Sequence, residues 1–101
     1  MPRKFESYRL SRMAEGDLAD IYEYTVTHWS VDQANSYITD IRSAVTGLVE
    51  GTKGGRMRPD LPEGYLAHLV GSHLIIYRET KLILVARVLH ASMDVARRLK
   101  P

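Results

Sequence analysis

The stretch that decides the fold is Tyr65–His90, which reads YLAHLVGSHLIIYRETKLILVARVLH. It contains three short runs that are rich in β-branched, leucine and aromatic residues, which is typical of strands and too short for capped helices. The runs are Tyr65–Val70, Leu74–Tyr77 and Leu82–Leu89. We therefore expect three β-strands here.

Two short connections between these runs indicate how the strands are joined. Gly71-Ser72 can supply the positive φ that a two-residue hairpin turn requires, and Glu79-Thr80-Lys81 is a polar break. Connections this short join neighbouring antiparallel strands. The stretch is predicted to be an antiparallel meander. Its middle run is apolar on both faces, so we expect that run to be interior.

The sequence before the meander predicts a short strand and a first helix. Phe5–Leu10 alternates in polarity, as a strand does, and Ser11 offers a hydroxyl N-cap for the helix that follows. The apolar stripe of this helix is Ala14, Leu18, Ile21, Tyr22, Thr25 and Trp29. Its acidic residues, which we expect to face water, are Glu15, Asp17, Asp20 and Glu23.

A second helix is predicted to begin directly afterwards. Ser30 and Gln33 have the S-x-x-Q spacing of a capping box, and Gly51 is a suitable C-terminal stop. Two helices joined by about three residues form an antiparallel hairpin, and only the sheet offers a surface large enough to cover its apolar side. Near the C-terminus, Asp94–Leu99 predicts a short helix with its charges matched to the helix dipole.

These elements define an α+β fold in a single domain, residues 1–101. The predicted order is β-α-α-β-β-β, with the helical hairpin packed on an antiparallel sheet and the short helix at the C-terminus. The second face of the sheet is expected to be covered by the terminal segment or by another protein.

Composition narrows the classes of function. The chain has no cysteine, no 18-residue apolar run and no apolar signal segment at its start, so we expect a cytoplasmic protein with no membrane partner. Residues 1–50 carry 5 basic and 8 acidic side chains, a net charge of −3, whereas residues 51–101 carry 9 basic and 4 acidic, a net charge of +5. The basic half is compatible with an anionic partner or with a merely solvated face.

No metal or cofactor site is predicted. The segment GTKGGR lacks the preceding strand and the Gly-Lys-Ser/Thr ending of a phosphate-binding loop. His68 and His73 could meet across the Gly71-Ser72 turn, but they would need carboxylate ligands beside them to bind a metal well.

The chemistry that remains is a basic and polar cluster at one end of the sheet. Its members are Tyr77, Arg78, Arg87, His90, Arg97 and Arg98. One interpretation is acid–base chemistry on RNA, in which arginine holds a phosphate and His90 or Tyr77 moves a proton. The other is structural: Arg78 and Arg87 pair with Asp60, Asp94 or backbone carbonyls.

Three segments in order resemble the ParE-type toxins of the RelE/ParE toxin–antitoxin superfamily. They are YRLSRMAEGDLADIYEYT at residues 8–25, VGSHLIIYR at 70–78 and ILVARVLHASMDVARRL at 83–99. The last two contain the family patterns V-G-x-H-x-I-x-Y-R and R-V-L-H-x-x-M-D. The resemblance implies a bacterial toxin that binds DNA gyrase, stabilises its cleaved-DNA state and blocks replication, and that a ParD-like antitoxin encoded beside it neutralises.

The resemblance also frames the alternatives. The RelE branch cuts mRNA on the ribosome with basic residues and a histidine or tyrosine near its C-terminus, and the tail DVARRLKP lacks that ending. We therefore expect no catalytic residues; if the protein were a nuclease, they would be Arg87, His90 and Tyr77. A third hypothesis is a protein that has lost toxicity and acts only as a co-repressor with its antitoxin.

The resemblance assigns two sets of contact residues. The candidates for binding the target are Arg78, Arg87, His90, Met93, Arg97 and Arg98. The candidates for binding the antitoxin are Tyr22, Trp29, Tyr37 and Leu61, each of which could instead belong to the core. We expect no sequence-specific nucleic-acid binding by the toxin alone.

Overall fold

The structure is a computed structural model in which residues 3–99 are described. The elements in chain order are β1 (Tyr8–Leu10), α1 (Arg12–His28), α2 (Val31–Glu50), β2 (Tyr65–Val70), β3 (His73–Glu79), β4 (Ile83–His90) and α3 (Val95–Arg98). The predicted α+β fold and its element order are confirmed. Strand β3 extends beyond its apolar run at both ends, because ladder pairing continues into polar residues, whereas β4 is shifted by one residue and runs from Ile83 to His90.

The four strands form one sheet in the order β1-β4-β3-β2. The meander is antiparallel, as predicted, but β1 lies parallel to β4, with Leu10 opposite Val85. Strand β1 is shorter than the alternating stretch that begins at Phe5. The backbone N–H of Phe5 donates instead to the carbonyl of Val49 at the end of α2 (3.0 Å). The N-terminal segment therefore ties the second helix to the edge of the sheet.

The caps that define the helical hairpin are those the sequence predicts. The Ser11 hydroxyl accepts the N–H of Ala14 (2.9 Å), and the Ser30 hydroxyl accepts the N–H of Gln33 (3.0 Å). Gly51 ends α2 in the left-handed region, with φ of 85°. These bonds satisfy backbone donors that a helix start leaves without partners.

The sheet separates two apolar cores. On the hairpin side, side chains from α1 and α2 pack on alternate residues of the strands; the fully buried members include Ile41, Ile75, Tyr77 and Val85. The other face is smaller and holds Ala67, Leu74, Ile76, Leu89 and Val95, with Leu61, Tyr65 and Leu99 packed around them. Strand β3 is therefore interior and the terminal helix covers the second face, as expected.

Candidate functional site

An ion pair joins the C-terminal half of β4 to the first helix. Arg87 donates from Nε to Asp17 Oδ2 and from Nη2 to Asp17 Oδ1, both at 2.8 Å. Each side chain is only 11% exposed, and the hydrogen bond to Asp17 raises the pKa of Arg87. The same carboxylate accepts the backbone N–H of Val88 (2.9 Å). Since β1 ends opposite Val85, Asp17 takes a backbone donor that a longer β1 would have satisfied.

This pair corrects two expectations. Asp17 does not face water with the other acidic residues of α1, and the carboxylate partner of Arg87 is neither Asp60 nor Asp94. Arg87 does reach a backbone carbonyl, that of Arg98 (3.0 Å), so it holds down the end of α3. The structural interpretation of Arg87 is therefore supported, and its guanidinium is largely used within the chain.

Arg78, the other arginine of the predicted cluster, does not lie at the same end of the sheet as His90, because Arg78 pairs with Leu84 near the start of β4 whereas His90 pairs with His73 at its end. Arg78 is exposed, and its guanidinium lies 5.5 Å from the ring centroid of Tyr65 across the β2–β3 pair. Asp60, which the structural interpretation offered as its partner, pairs with Arg58 instead, at 2.8 Å. Arg78 is therefore available to an outside partner, with a cation–π contact holding its direction.

His90 is joined to a chain of polar groups that crosses the sheet to α2. Its Nδ1 accepts the backbone N–H of Ser92 (3.1 Å), so neutral His90 carries its proton on Nε2. The His90 ring meets the His73 ring edge-on at a centroid distance of 5.2 Å, and His73 Nδ1 lies 2.6 Å from the Tyr37 hydroxyl. Because the accepting nitrogen of His90 is occupied, His90 is poorly arranged to act as a general base or as a metal ligand.

Tyr77, the remaining acid–base candidate, is inaccessible. Its side chain is 1% exposed in the hairpin-side core, with its hydroxyl against Gly55, and burial raises its pKa. A Cβ at Gly55 would lie 2.7 Å from the Tyr77 hydroxyl, so only glycine lets the loop cover this group. The three residues named for a nuclease are thus a paired arginine, a histidine with its acceptor occupied and a buried tyrosine.

The remaining basic candidates are exposed on α3. Asp94 caps this helix through the N–H of Arg97 (3.4 Å), and Val95 is buried beneath it. Arg97 and Arg98 therefore point outwards, and Met93, just before the helix, is 40% exposed. Among residues 3–99, no group of three or more histidine, aspartate or glutamate side chains is arranged to hold a metal. Across the same residues, no helix has both the length and the apolarity that a membrane crossing requires.

The sequence is similar to those of known proteins over most of its length. The family model described as "ParE toxin of type II toxin-antitoxin system, parDE" matches residues 8–95. The chain belongs to the ParE toxin family. Toxin ParE1 of Caulobacter vibrioides is 37% identical over 87 residues, which cover 86% of this chain and 91% of that protein. Toxin ParE1 of Mycobacterium tuberculosis is 37% identical over 94 residues, covering 91% and 96%.

A solved structure supports the fold of this ParE-family chain. It is titled "Chromosomal ParDE TA system from P. aeruginosa", and it superposes with a TM-score of 0.72 at 24% identity. The match covers 83% of this chain and 94% of that one. The α+β architecture is thus shared with a ParDE structure at low sequence identity.

The residues named as antitoxin contacts divide into two groups in this ParE-family structure. Tyr37 is half-buried and its hydroxyl accepts the N–H of Ser72 (3.1 Å), while Leu61 packs on the second-face core. Tyr22 lines an open groove between the helices, with a volume of about 440 Å³, and Trp29 is 75% exposed. Tyr22 and Trp29 are therefore free to meet a partner, whereas Tyr37 and Leu61 mainly hold the toxin together.

The residue that sequence reasoning missed is Asp17. Its position carries a usable signal, because it follows Ala14 by three residues and precedes Ile21 by four, which places it at the border of the buried stripe. An acidic residue on that stripe requires a partner, and Arg87 in an apolar strand requires one too. Nothing in the sequence states that the two requirements meet.

Proposed function

We propose that this protein is a toxin that inhibits DNA gyrase by binding it, stabilises the cleaved-DNA state and so blocks replication. The observation that carries the proposal is the match to the ParE toxin family over residues 8–95. The geometry supports binding without chemistry, because Arg87, His90 and Tyr77 are engaged in internal contacts or buried. The toxin would act in the cytoplasm, where bacterial gyrase and DNA are found.

The proposed contact with the gyrase–DNA assembly is the basic surface formed by α3 and the face of the sheet that α3 covers. Arg97 and Arg98 project from α3, Arg78 lies on the same face of the sheet as Ile76, and Met93 adds an apolar contact. Positive charge here would speed association with an anionic assembly more than it would tighten it. His90 and Arg87 would contribute by holding this surface in shape.

A ParD-like antitoxin is proposed to neutralise the toxin at the helical hairpin. The groove between α1 and α2 has an apolar floor that includes Leu18, Tyr22 and Ile38, with Glu15 and Arg42 at its rim. A segment of antitoxin that folds on binding could fill this groove and reach Trp29. Tyr22 and Trp29 are the proposed anchors.

The test of the gyrase proposal uses purified toxin, gyrase and supercoiled plasmid. We expect linear DNA with covalently attached gyrase after denaturation, in amounts that rise with toxin concentration. Unchanged supercoiling at saturating toxin, with no trapped DNA, would reject gyrase as the target. Adding the toxin to a translation mixture provides the contrasting assay, since cut mRNA there would favour the ribosome-dependent endonuclease instead.

The antitoxin proposal has a separate test. Co-expression with the protein encoded by the adjacent reading frame should restore growth and yield a complex that survives purification. Tyr22→Ala and Trp29→Ala should weaken that complex while the free toxin stays folded. An unaffected complex in both variants would place the antitoxin elsewhere on the toxin.

A further inference from the structure

The turn between α1 and α2 exposes an apolar cluster that neither core uses. This cluster, the hairpin tip, consists of Tyr24, His28, Trp29 and Val31. Tyr24 is 60%, Trp29 75% and Val31 53% exposed. Tryptophan is highly buried on average in folded proteins, so a tryptophan left this open needs an explanation other than packing.

The backbone of the hairpin tip and the rings of Tyr24 and His28 are held by contacts within the chain. The backbone N–H of Trp29 donates to the carbonyl of Thr25 (2.8 Å), and the next residue, Ser30, caps α2. The rings of Tyr24 and His28 are stacked, with centroids 3.9 Å apart and planes 19° apart, and His28 Nδ1 lies 2.9 Å from the carbonyl of Tyr24. Aromatic groups held in place in this way lose little freedom on binding, which makes them suitable anchors.

The charge around the hairpin tip has one sign. Between Arg12 and Arg42 the sequence contains no lysine or arginine. Over the same span it has six acidic residues, and of these Asp17 is neutralised by Arg87. Two exposed acids are next to tip residues in the sequence, Glu23 before Tyr24 and Asp32 after Val31. A partner that approaches Trp29 therefore meets an apolar surface inside a negative field.

We propose that the hairpin tip docks a lysine- and arginine-bearing segment of a partner protein. Apolar residues of the segment cover Trp29 and Val31, and its cations meet Glu23, Asp32 and the faces of the Tyr24 and Trp29 rings. The proposal deepens the antitoxin proposal, on which it rests for the use of Trp29, by specifying the chemistry of the bound segment, and it does not depend on whether gyrase is the target. Nucleic acid is disfavoured by the like charge of its phosphates.

Symmetry argues against a second copy of the chain as the occupant. The exposed arginines Arg78, Arg97 and Arg98 lie on the opposite side of the sheet from the hairpin. Pairing of the tip with that face would be a head-to-tail contact, which forms a larger ring or an open filament rather than a closed two-fold dimer. Sedimentation of the protein alone distinguishes this occupant, because such a contact produces association that grows with concentration.

The probe for the test is built into the chain, since Trp29 is its single tryptophan. The intact protein is titrated with a short amphipathic peptide that carries lysine and leucine at helical spacing. A matched peptide with glutamate in place of lysine serves as the control. We expect the lysine peptide to shift the Trp29 emission to the blue, saturably and less at high salt, and the glutamate peptide to leave it unchanged.

Variants locate the interaction. Glu23→Gln and Asp32→Asn should each weaken binding of the lysine peptide by about twofold to fivefold, the range of an exposed ion pair. Trp29→Ala, followed by calorimetry because it removes the fluorophore, should weaken it by roughly tenfold or more. Glu63→Gln is the matched control, an exposed glutamate in the loop before β2, and should have no effect.

Several results would overturn the proposal. Equal binding of the two peptides, or no binding of either, removes the charge argument. Binding that Glu63→Gln weakens as much as Glu23→Gln does removes the location. Self-association of the protein that buries Trp29 would show that a second copy of the chain binds the tip. A comparable emission shift with a DNA duplex would show that nucleic acid binds it. None of these results bears on gyrase trapping, so the two proposals fail separately.

Discussion

Arg87 on β4 and Asp17 on α1, seventy positions apart in sequence, form a bidentate ion pair with both N–O distances at 2.8 Å. The pair joins three parts of the structure, because Asp17 also accepts the N–H of Val88 and Arg87 also donates to the carbonyl of Arg98. The first helix, the last strand and the end of α3 are thus fixed by two side chains. The guanidinium of Arg87 is therefore used in internal contacts.

Asp17→Asn should lower the free energy of unfolding by about 3 kcal/mol, because it leaves the Arg87 guanidinium largely buried without a counter-charge. Urea unfolding followed by circular dichroism measures this loss. Asp60→Asn is the control: its pair with Arg58 is about one-third exposed, so the loss should be at most about 1 kcal/mol. Similar losses in the two variants would contradict the conclusion that the Arg87–Asp17 pair contributes more to stability than a partly exposed ion pair.

Gly71→Ala should destabilise the protein by about 2 kcal/mol or more. Gly71 has φ of 55°, and a Cβ there would lie 2.7 Å from Tyr37 Cε1, so an alanine combines backbone strain with a clash. Gly16→Ala is the matched control, since Gly16 lies within α1 with nothing within 4 Å of the added carbon. That variant should gain about 0.5–1 kcal/mol. Thermal or urea unfolding of both variants measures these changes in stability. A Gly71→Ala variant as stable as wild type would refute the close contact with Tyr37.

Stability should fall as the pH is lowered through the range in which histidine titrates. Burial, then the nearby charge of His90, lowers the pKa of His73 below its ordinary value of 6.5, although Asp17 acts in the opposite direction. The unfolded chain therefore binds a proton at higher pH than the folded one does. The contribution of His73 to stability is present above about pH 6.5 and decreases as the pH falls towards the folded-state pKa.

The measurement for this prediction is the free energy of unfolding from pH 7.5 to pH 5. His73→Gln should flatten the decrease, because the variant has no titrating group beside Tyr37 and His90. His68→Gln is the control, as His68 lies on the neighbouring strand and bonds the carbonyl of Gly54 (2.9 Å). If the two variants flatten the curve equally, the assignment to His73 is wrong.

The double variant Arg97→Gln/Arg98→Gln should leave the free energy of unfolding within about 0.5 kcal/mol of wild type, because both side chains are exposed. It should nevertheless slow the trapping of cleaved DNA by gyrase, with the largest difference at low salt. Arg9→Gln/Arg12→Gln removes the same charge near the start of α1 and is the control. A control as slow as the α3 variant would mean that net charge alone, and not the position of α3, matters.

The sequence predicted most of the fold because its signals are local. Ser11, Ser30 and Gly51 act through backbone groups within one helical turn, so their roles as caps could be inferred from spacing. The turn at Gly71 and the apolar character of β3 on both faces are local in the same sense. The parallel docking of β1 against β4 was not predicted, because strand pairing across more than seventy residues leaves no mark in the local pattern.

The sequence named candidate residues for the site but did not give their environments. The pattern from Arg87 to Asp94 indicated residues that the structure places at the end of β4 and the start of α3. Only the structure decides that Tyr77 is buried, that the acceptor of His90 is occupied and that Trp29 is open.

By itself, the sequence determined the stretch Tyr65–His90 as a meander, the helical hairpin before it and the family to which the chain belongs. The tertiary structure decided which polar side chains are free. A charged group is available to a partner only if no other element brings an opposite charge or a backbone group within reach, and that depends on contacts between distant residues. Asp17 lies in the predicted first helix and Trp29 lies at its end. Asp17 is paired with Arg87, whereas Trp29 is exposed.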